Sequence, residues 1–249
     1  MNTPKISVVT VCYNVVTTIE KTIQSVINQT YDNIEYIIID GASTDGTVEL
    51  INKYRDKISY YVSEPDKGIY DAMNKAIDVA TGEWINFMNA GDMFADKEVI
   101  SRIMCALRAC DKHDVVFGNT IYYNDKLRTY RKGTYRESNM PQFVHQSSFV
   151  YTRLMKKYHF NQKYSIGADH DFFYKLYQEG KSFYHIDETI SMFSLDGASF
   201  KNRYVVYKEV CEIENMEPQL LKLVKYRLED LMPSWIIKII MPVLMKRIC

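Results

Sequence analysis

Four apolar runs, Ile6 to Val11, Ile34 to Ile39, Ile58 to Val62 and the stretch from Glu83 to Met88, each end in a cluster of polar residues. Between them apolar positions recur at helical spacing: Ile19, Ile23, Val26 and Ile27, then Val48, Ile51 and Tyr54, then Ile69, Met73, Ala76, Ile77 and Ala80, a stripe that stops at Gly82. Short continuous apolar runs bounded by polar residues mark buried strands, and a period near 3.6 marks amphipathic helices. Thr17-Thr18-Ile19-Glu20 reads as a capping box opening the first helix. A further helix is expected from about Asp96 to Cys110. Strand and helix alternating through residue 118 predict parallel βαβ units with right-handed crossovers. The loops after the strands then share one edge of the sheet, where such folds gather ligands.

Beyond Val115 the pattern loosens. Thr120 to Tyr123 and Arg128 to Tyr130 flank an Asn-Asp-Lys turn that could close a hairpin. Phe172, Phe173, Leu176 and Tyr177 predict a helix beginning near Asp169, and Tyr204 to Asn215 predicts another. Three segments follow: an α/β half over 1–118, a second half of the same domain over 119–219, and a tail over 220–249. The tail interleaves Lys222, Lys225, Arg227, Lys238, Lys246 and Arg247 with Leu, Ile, Met and Trp235. Its apolar run from Trp235 to Met245 is broken by Lys238 and Pro242 and falls short of the roughly 20 residues that span a bilayer. Such a basic amphipathic segment fits either a membrane surface or packing on the domain or on a second subunit, as in a homodimer.

Composition narrows the chemistry. With 249 residues, 47% of them hydrophobic, the chain can bury a substantial core. Lys+Arg and Asp+Glu balance at 31 each, so nothing points to nucleic acid, and an anion has to be held by a local site. Cys12, Cys105, Cys110, Cys211 and Cys249 are odd in number and form no Cys-x-x-Cys pair, which argues against a disulfide framework or a zinc site and for a cytoplasmic location. His113, His159, His170 and His185 also lack zinc spacing. No secretory signal is expected, because Ile6 to Cys12 is short, contains Ser7 and Thr10, and has no small-residue cleavage region.

The polar strand ends carry motifs. Ser7-Val-Val-Thr-Val-Cys-Tyr-Asn14, Asp40-Gly-Ala-Ser-Thr-Asp-Gly-Thr47, Asp66-Lys-Gly-Ile-Tyr-Asp-Ala-Met-Asn74 and Asn89-Ala-Gly-Asp92 together resemble family 2 glycosyltransferases in order and spacing. The likeness covers most of residues 5 to 200; each motif alone is weak, whereas four in order on the right elements are fairly specific. The resemblance implies a GT-A fold: a Rossmann-like, mostly parallel sheet with flanking helices, a smaller acceptor-side region and C-terminal amphipathic helices. It also implies a nucleotide-sugar donor of UDP or GDP type.

Within that resemblance, Thr10, Tyr13 and Asn14 fall where the family's first loop lines the nucleotide, and a Tyr ring can cover a base. Asp40 matches the acid that receives a hydrogen bond from the base. Asp45 and Thr47 read more readily as turn and cap residues. Asp71 and Asn74, at helical i, i+3 spacing, could face the crevice, and Lys67 sits in a loop where an ammonium could meet a diphosphate. Asp92 aligns with the final acid of the family's Asp-x-Asp motif, which implies a divalent metal, Mg²⁺ or Mn²⁺, held against the donor phosphates. Gly91 stands where a second carboxylate would be.

Gly167-Ala168-Asp169-His170-Asp171 resembles the family's Glu-Asp segment, which begins a helix below the acceptor, with Ala168 in place of the Glu. Asp169 is the candidate general base of an inverting transfer; Asp171 is the alternative, and either could be only a helix N-terminal acid. His145-Gln146-Ser147-Ser148 resembles a His-Gln segment of bacterial members, placed near the acceptor or the diphosphate, with a buried structural His as the rival reading. The expected activity is transfer of a sugar to a saccharide or lipid-linked acceptor in polysaccharide biosynthesis, in the cytoplasm or peripheral on the inner face of the cell membrane. The alternative is a non-catalytic nucleotide-sugar-binding or scaffold protein of the same pathway, which Gly91 and Ala168 permit. A nucleotidyltransferase would want a Gly-rich basic loop after the first strand, and Cys12-Tyr13-Asn14-Val15-Val16 is not one.

Overall fold

A computed structural model describes residues 3–109, 113–124, 128–132, 134–135, 140–197 and 201–231. In chain order the strands are β1 (Ile6–Cys12), β2 (Ile34–Asp40), β3 (Tyr60–Ser63), β4 (Trp84–Phe87), β5 (Met93–Phe94), β6 (Val115–Tyr123), β7 (Arg128–Arg131), β8 (Thr134–Tyr135), β9 (Pro141–Gln142), β10 (Ser148–Tyr151) and β11 (Phe183–Ser194). The helices are α1 (Ile19–Ile27), α2 (Thr47–Asn52), α3 (Ile69–Val79), α4 (Val99–Ala109), α5 (Thr152–Tyr158), α6 (Ala168–Gln178), α7 (Arg203–Ile213) and α8 (Leu220–Leu231).

One sheet runs β3-β2-β1-β4-β10-β6-β11-β5, with β7 paired to β6. Its first four strands are parallel, β10 runs antiparallel between β4 and β6, and β11 is parallel to β6. All seven residues of β1 are buried, because helices cover both faces of the sheet; that explains a run with no apolar-polar alternation. On one face α1 and α4 pack Ile19, Ile23, Val26, Val99 and Ile103 against Ile6, Val8 and Ile38. On the other, α3 and α6 pack Met73, Ile77, Phe172 and Leu176 against Val9, Val11, Ile37 and Phe87.

The structure departs from the sequence pattern in instructive places. The capping box does not form: α1 begins at Ile19 with no side-chain cap bond, and Glu20 instead accepts a hydrogen bond from the Tyr54 hydroxyl at 2.7 Å. The third helix ends at Val79, and Gly82 serves a close approach, since a Cβ there would lie 2.5 Å from the Ser7 amide nitrogen. A boundary after residue 118 would fall inside β6, and β10 from the second half is inserted beside β4, so the two halves share one sheet. The predicted hairpin forms as β6 and β7, with residues 125–127 of its turn outside the described residues. Cys110, Cys249 and the tail from 232 onward, including Trp235, Lys238 and Pro242, also lie outside the described residues. Among the described residues no helix is long and apolar enough to cross a membrane.

Candidate active site

The parallel strands end level, with Cys12, Asp40 and Ser63 in register across β1, β2 and β3. That register brings three neighbours onto Asp40. Its carboxylate accepts the Ser43 N–H (2.9 Å), the Ser43 hydroxyl, the Ser63 hydroxyl (2.6 Å) and the Cys12 thiol (3.4 Å), and its exposure is 0%. A carboxylate has about four acceptor positions, so a nucleotide base would have to displace one of these donors. Burial, followed by the charge and hydrogen bond of Asp40, pushes the Cys12 thiol up. Asp45 receives the Val16 N–H, the Thr47 N–H and the Thr47 hydroxyl, and Thr47 in turn accepts the Val15 N–H. Both tie the first loop to the start of α2 as turn residues, while the N-cap itself is Gly46 and carries no side-chain cap bond.

Thr10 needs a correction. It lies within β1, fully buried, and its hydroxyl bonds to Tyr36 (3.0 Å) and to the Met88 carbonyl (2.8 Å), so it belongs to the core and not to the loop that follows. Tyr13, by contrast, is 62% exposed. Asn14 adopts φ +50° and fastens the first loop to the second: its N–H donates to Ser43 and its side chain accepts the Thr44 N–H. Beside Tyr13, one oxygen of Asp66 overlies Gly41, where a Cβ would sit 2.6 Å from it and 3.3 Å from the Tyr13 ring. Tyr13, Gly41 and Asp66 thus share a wall. Asp71 is spent at the rim, accepting the Lys67 N–H and the Gln162 amide, and Asn74 is paired with the Phe160 backbone in both directions.

The end of β4 is built differently. Asn89, Ala90, Gly91 and Asp92 form a tight turn, the Asp92 N–H donating to the Asn89 carbonyl (2.9 Å) with Gly91 at φ +100°. A positive φ at the third position is the signature of a type II turn, and it favours glycine. Thr22 of α1 holds the turn by accepting the Gly91 N–H and donating to the Asp92 carbonyl, and the Tyr123 hydroxyl donates to the Gly91 carbonyl.

From this turn a chain of contacts runs to α6. Asn89 Nδ2 lies 3.1 Å from His145 Nε2, and His145 Nδ1 lies 2.7 Å from Asp169 Oδ2. Nδ1–H donates to the carboxylate, and Nε2 faces the Asn89 side-chain amide. Asp169 Oδ1 takes the His170 N–H (2.9 Å) and lies 3.0 Å from the Tyr70 hydroxyl. Burial alone would raise the Asp169 carboxyl; the bond and charge of His145, with Tyr70 and the His170 N–H, outweigh it and hold the group below the ordinary carboxylate value. The side chain remains 27% exposed, and one acceptor position on Oδ2 is left over. Asp171 lies elsewhere, among Asn161, Lys163 and Lys175, with burial pushing it up.

A family model described as Glycosyl transferase family 2 matches residues 7–178. The chain belongs to glycosyl transferase family 2. It is similar to an uncharacterised glycosyltransferase of Mycobacterium tuberculosis, 31% identical over 179 residues that are 68% of this chain and 67% of that one. It is also similar to the Escherichia coli UDP-Glc:alpha-D-GlcNAc-diphosphoundecaprenol beta-1,3-glucosyltransferase WfaP, 34% identical over 122 residues, 49% of this chain and 47% of the relative. The chain spans about half the length of several curated relatives it matches. Among solved structures it resembles TarS 1-349 of S. aureus in complex with UDP, with a TM-score of 0.67, 20% identity, and coverage of 91% of this chain and 70% of that one. The mixed, mostly parallel sheet with flanking helices is the GT-A fold.

The metal that the family 2 motif implies for Asp92 can be tested against its surroundings. Asp92 is 6% exposed, and its two oxygens accept the Ser194 N–H (2.8 Å) and the Gln146 amide (2.7 Å). Burial pushes its carboxyl up to about 6, with the Ser194 N–H and Gln146 offsetting part of the rise. Gly91 brings no carboxylate, and among the described residues no three His, Cys, Asp or Glu side chains gather as a metal-holding group. The donors around Asp92 do not fit a resident Mg²⁺ or Mn²⁺. Its observed role is to join the β4 turn to the end of β11 and to the His145 turn.

Four contributors were not singled out from sequence. Tyr70, Asp66 and Asn89 stand inside the quoted motifs, so position could have flagged them. Gln146 stands inside the His-Gln segment.

Proposed function

We propose that this family 2 member transfers a sugar from a nucleotide-sugar donor of UDP or GDP type to a hydroxyl of a saccharide or lipid-linked acceptor, with inversion. The observation that carries the reading is the Asn89–His145–Asp169 chain, which holds a partly exposed carboxylate with one acceptor position left over on Oδ2. The acceptor hydroxyl donates to that position on Asp169 Oδ2. As its oxygen attacks the anomeric carbon from the face opposite the diphosphate, the proton passes to Asp169, and the bond to the nucleoside diphosphate breaks with its electron pair going to the leaving oxygen. His145 and Tyr70 keep the carboxylate aimed. Because Asp92 lacks the setting of a metal ligand, no step here runs through a divalent ion.

On the donor side, Tyr13 offers a ring face to the base, and Asp66 offers a free oxygen to hydroxyl donors of the nucleoside. A relative named for a UDP-Glc donor and a diphosphoundecaprenol acceptor supports a lipid-linked substrate, met at the inner face of the cell membrane. Helix α8, with Leu220 and Leu231 exposed and Lys222, Lys225 and Arg227 set against Glu229 and Asp230, would dock on anionic headgroups there. Co-sedimentation with anionic vesicles should fall when residues 220–249 are removed; unchanged binding would sink the docking, and a shift in oligomeric state would favour a second copy instead.

The decisive test is a panel of nucleotide sugars, read as nucleoside diphosphate release alongside nucleotide binding. Release with at least one donor supports transfer. Binding without release, with any donor and acceptor extract, favours the scaffold reading, which draws its support from Gly91 and Ala168 standing where the family has acids.

A further inference from the structure

Beyond residue 178, where the family match ends, one carboxylate reaches back to the loop that leads into α6 and Asp169. Glu209 on α7 accepts three consecutive backbone N–H groups, those of Ser165 (2.8 Å), Ile166 (3.0 Å) and Gly167 (2.7 Å), together with the Ser165 hydroxyl (2.8 Å). Consecutive N–H groups converging on one point make an anion nest. Here the anion is part of the chain. Burial would raise the Glu209 carboxyl, yet these bonds together hold it below its ordinary value. Gly167 lets α7 come this near, since a Cβ there would lie 3.1 Å from Glu209 Oε2 and 3.2 Å from Glu209 Cβ.

The same stretch is also held through the Ile166 carbonyl. The Tyr70 hydroxyl, on α3, donates to the Ile166 carbonyl and also reaches Asp169 Oδ1 at 3.0 Å. The backbone at 165–167 is thus gripped through its N–H groups from α7 and through a carbonyl from α3, and Asp169 projects two residues later from the first turn of α6. A second bond lies alongside from the residue that caps the end of α7, His170 Nε2 to Glu214 at 2.8 Å. Helix α7 is itself fixed by α8: Asp230 accepts the N–H groups of Arg203 and Tyr204, and Glu229 pairs with Arg203. A surface loop could be closed with any single bond. Four bonds from one carboxylate onto the turn that aims Asp169 do more than close it.

We propose that Glu209 is a positioning residue: by filling the nest at 165–167 it sets the place of the Asp169 carboxylate, so that helices outside the family segment complete the site. The proposal rests on Asp169 being the base. Its test therefore pairs a readout that needs no turnover with one that does. Amide hydrogen exchange across 163–172 would be followed in the full chain for the parent, Glu209→Ala and Glu209→Gln, with and without added sodium formate. Transfer kinetics, nucleotide affinity and thermal melts would be recorded on the same samples. Glu212→Gln, on the same helix but paired with exposed Lys163, is the control.

In Glu209→Ala, exchange at 165–167 should speed up by about tenfold or more, as expected when backbone bonds are released locally. The catalytic constant should fall by roughly 10- to 100-fold, with donor KM and nucleotide affinity unchanged, the effect of a small misplacement of a reacting group. Formate, entering the emptied nest, should restore part of both. Glu209→Gln, which keeps a neutral acceptor, should fall between, and Glu212→Gln should match the parent. Unchanged exchange in Glu209→Ala overturns the proposal. So does faster exchange with the parent's catalytic constant, or a loss of activity that follows the melt and ignores formate. If the parent shows no transfer while exchange rises and formate reverses it, the clasp stands and it is the catalytic reading of Asp169 that fails.

Discussion

At the ends of β1 and β2, Asp40 and Asp45 spend their carboxylates on neighbouring loops, whereas around the end of β4 the side-chain oxygens of Asn86, Asn89 and Gln146 are buried with no partner. Leaving a buried acceptor unpaired costs about 1–3 kcal/mol. The first rim is tied so that loop fixes loop. The second carries unpaired side-chain oxygens beside a carboxylate with one position left over. The contrast divides the acids of the sequence motifs into those whose oxygens tie loop to loop and one, Asp169, with an acceptor position left over.

The variants that would break this contrast begin with His145. His145→Ala removes the donor that aims Asp169 and should lower the catalytic constant by about 10²-fold, with nucleotide affinity kept; steady-state kinetics beside a binding titration would show it. A matching loss of nucleotide affinity would move His145 to the donor side.

Asp92→Asn tests the opposite assignment. The folded state holds the Asp92 proton more tightly than the unfolded chain, with the carboxyl at about 6 against 3.8. The folded state therefore binds more protons between those values, and the parent should lose stability as pH rises from about 4 to about 6, by roughly 3 kcal/mol. Asn cannot ionise, and Gln146 can turn its unpaired oxygen toward the new amide. Urea unfolding at several pH values should show that slope in the parent and not in Asp92→Asn, which should be at least as stable at pH 7. Nucleotide affinity that depends on Mn²⁺ in the parent and is lost in Asp92→Asn would restore the metal reading.

Thr10→Val should cost about 1–3 kcal/mol, because it strips a partner from the buried Tyr36 hydroxyl, and it should leave nucleotide affinity alone. Weakened nucleotide binding in a variant as stable as the parent would return Thr10 to the pocket. The smallest effect is expected at Tyr13. Replacing it with Ala should weaken nucleotide binding by up to about tenfold through lost ring contact, with no change in the melt; an unaltered affinity would make Tyr13 a plain surface aromatic.

Much of the first rim was legible in the sequence. Continuous apolar runs located β1 and β2, and the polar clusters after them located the loops, because strand burial and strand-end chemistry are local properties. Asp169 and Asp171 stood together in one segment, and it is the fold that gives them different neighbours, His145 and Tyr70 for Asp169. What could not be read was pairing across distance. Tyr70 lies 99 residues from Asp169, and Asn89 lies 56 from His145. The placement of β10 beside β4 brings the His145 turn to the end of β4, and no periodicity carries that information. Gly91 was visible as a missing acid; that its backbone favours glycine needed the turn. The capping box failed because Glu20 found Tyr54, a partner from another element.

The most direct test compares Asp169→Asn with Asp171→Asn in a transfer assay at saturating donor, with nucleotide affinity measured on the same preparations. A loss of about 10²- to 10⁴-fold confined to Asp169→Asn, at unchanged affinity, is the predicted result. An Asp169→Asn variant that turns over like the parent, or an equal loss in Asp171→Asn, would contradict the account.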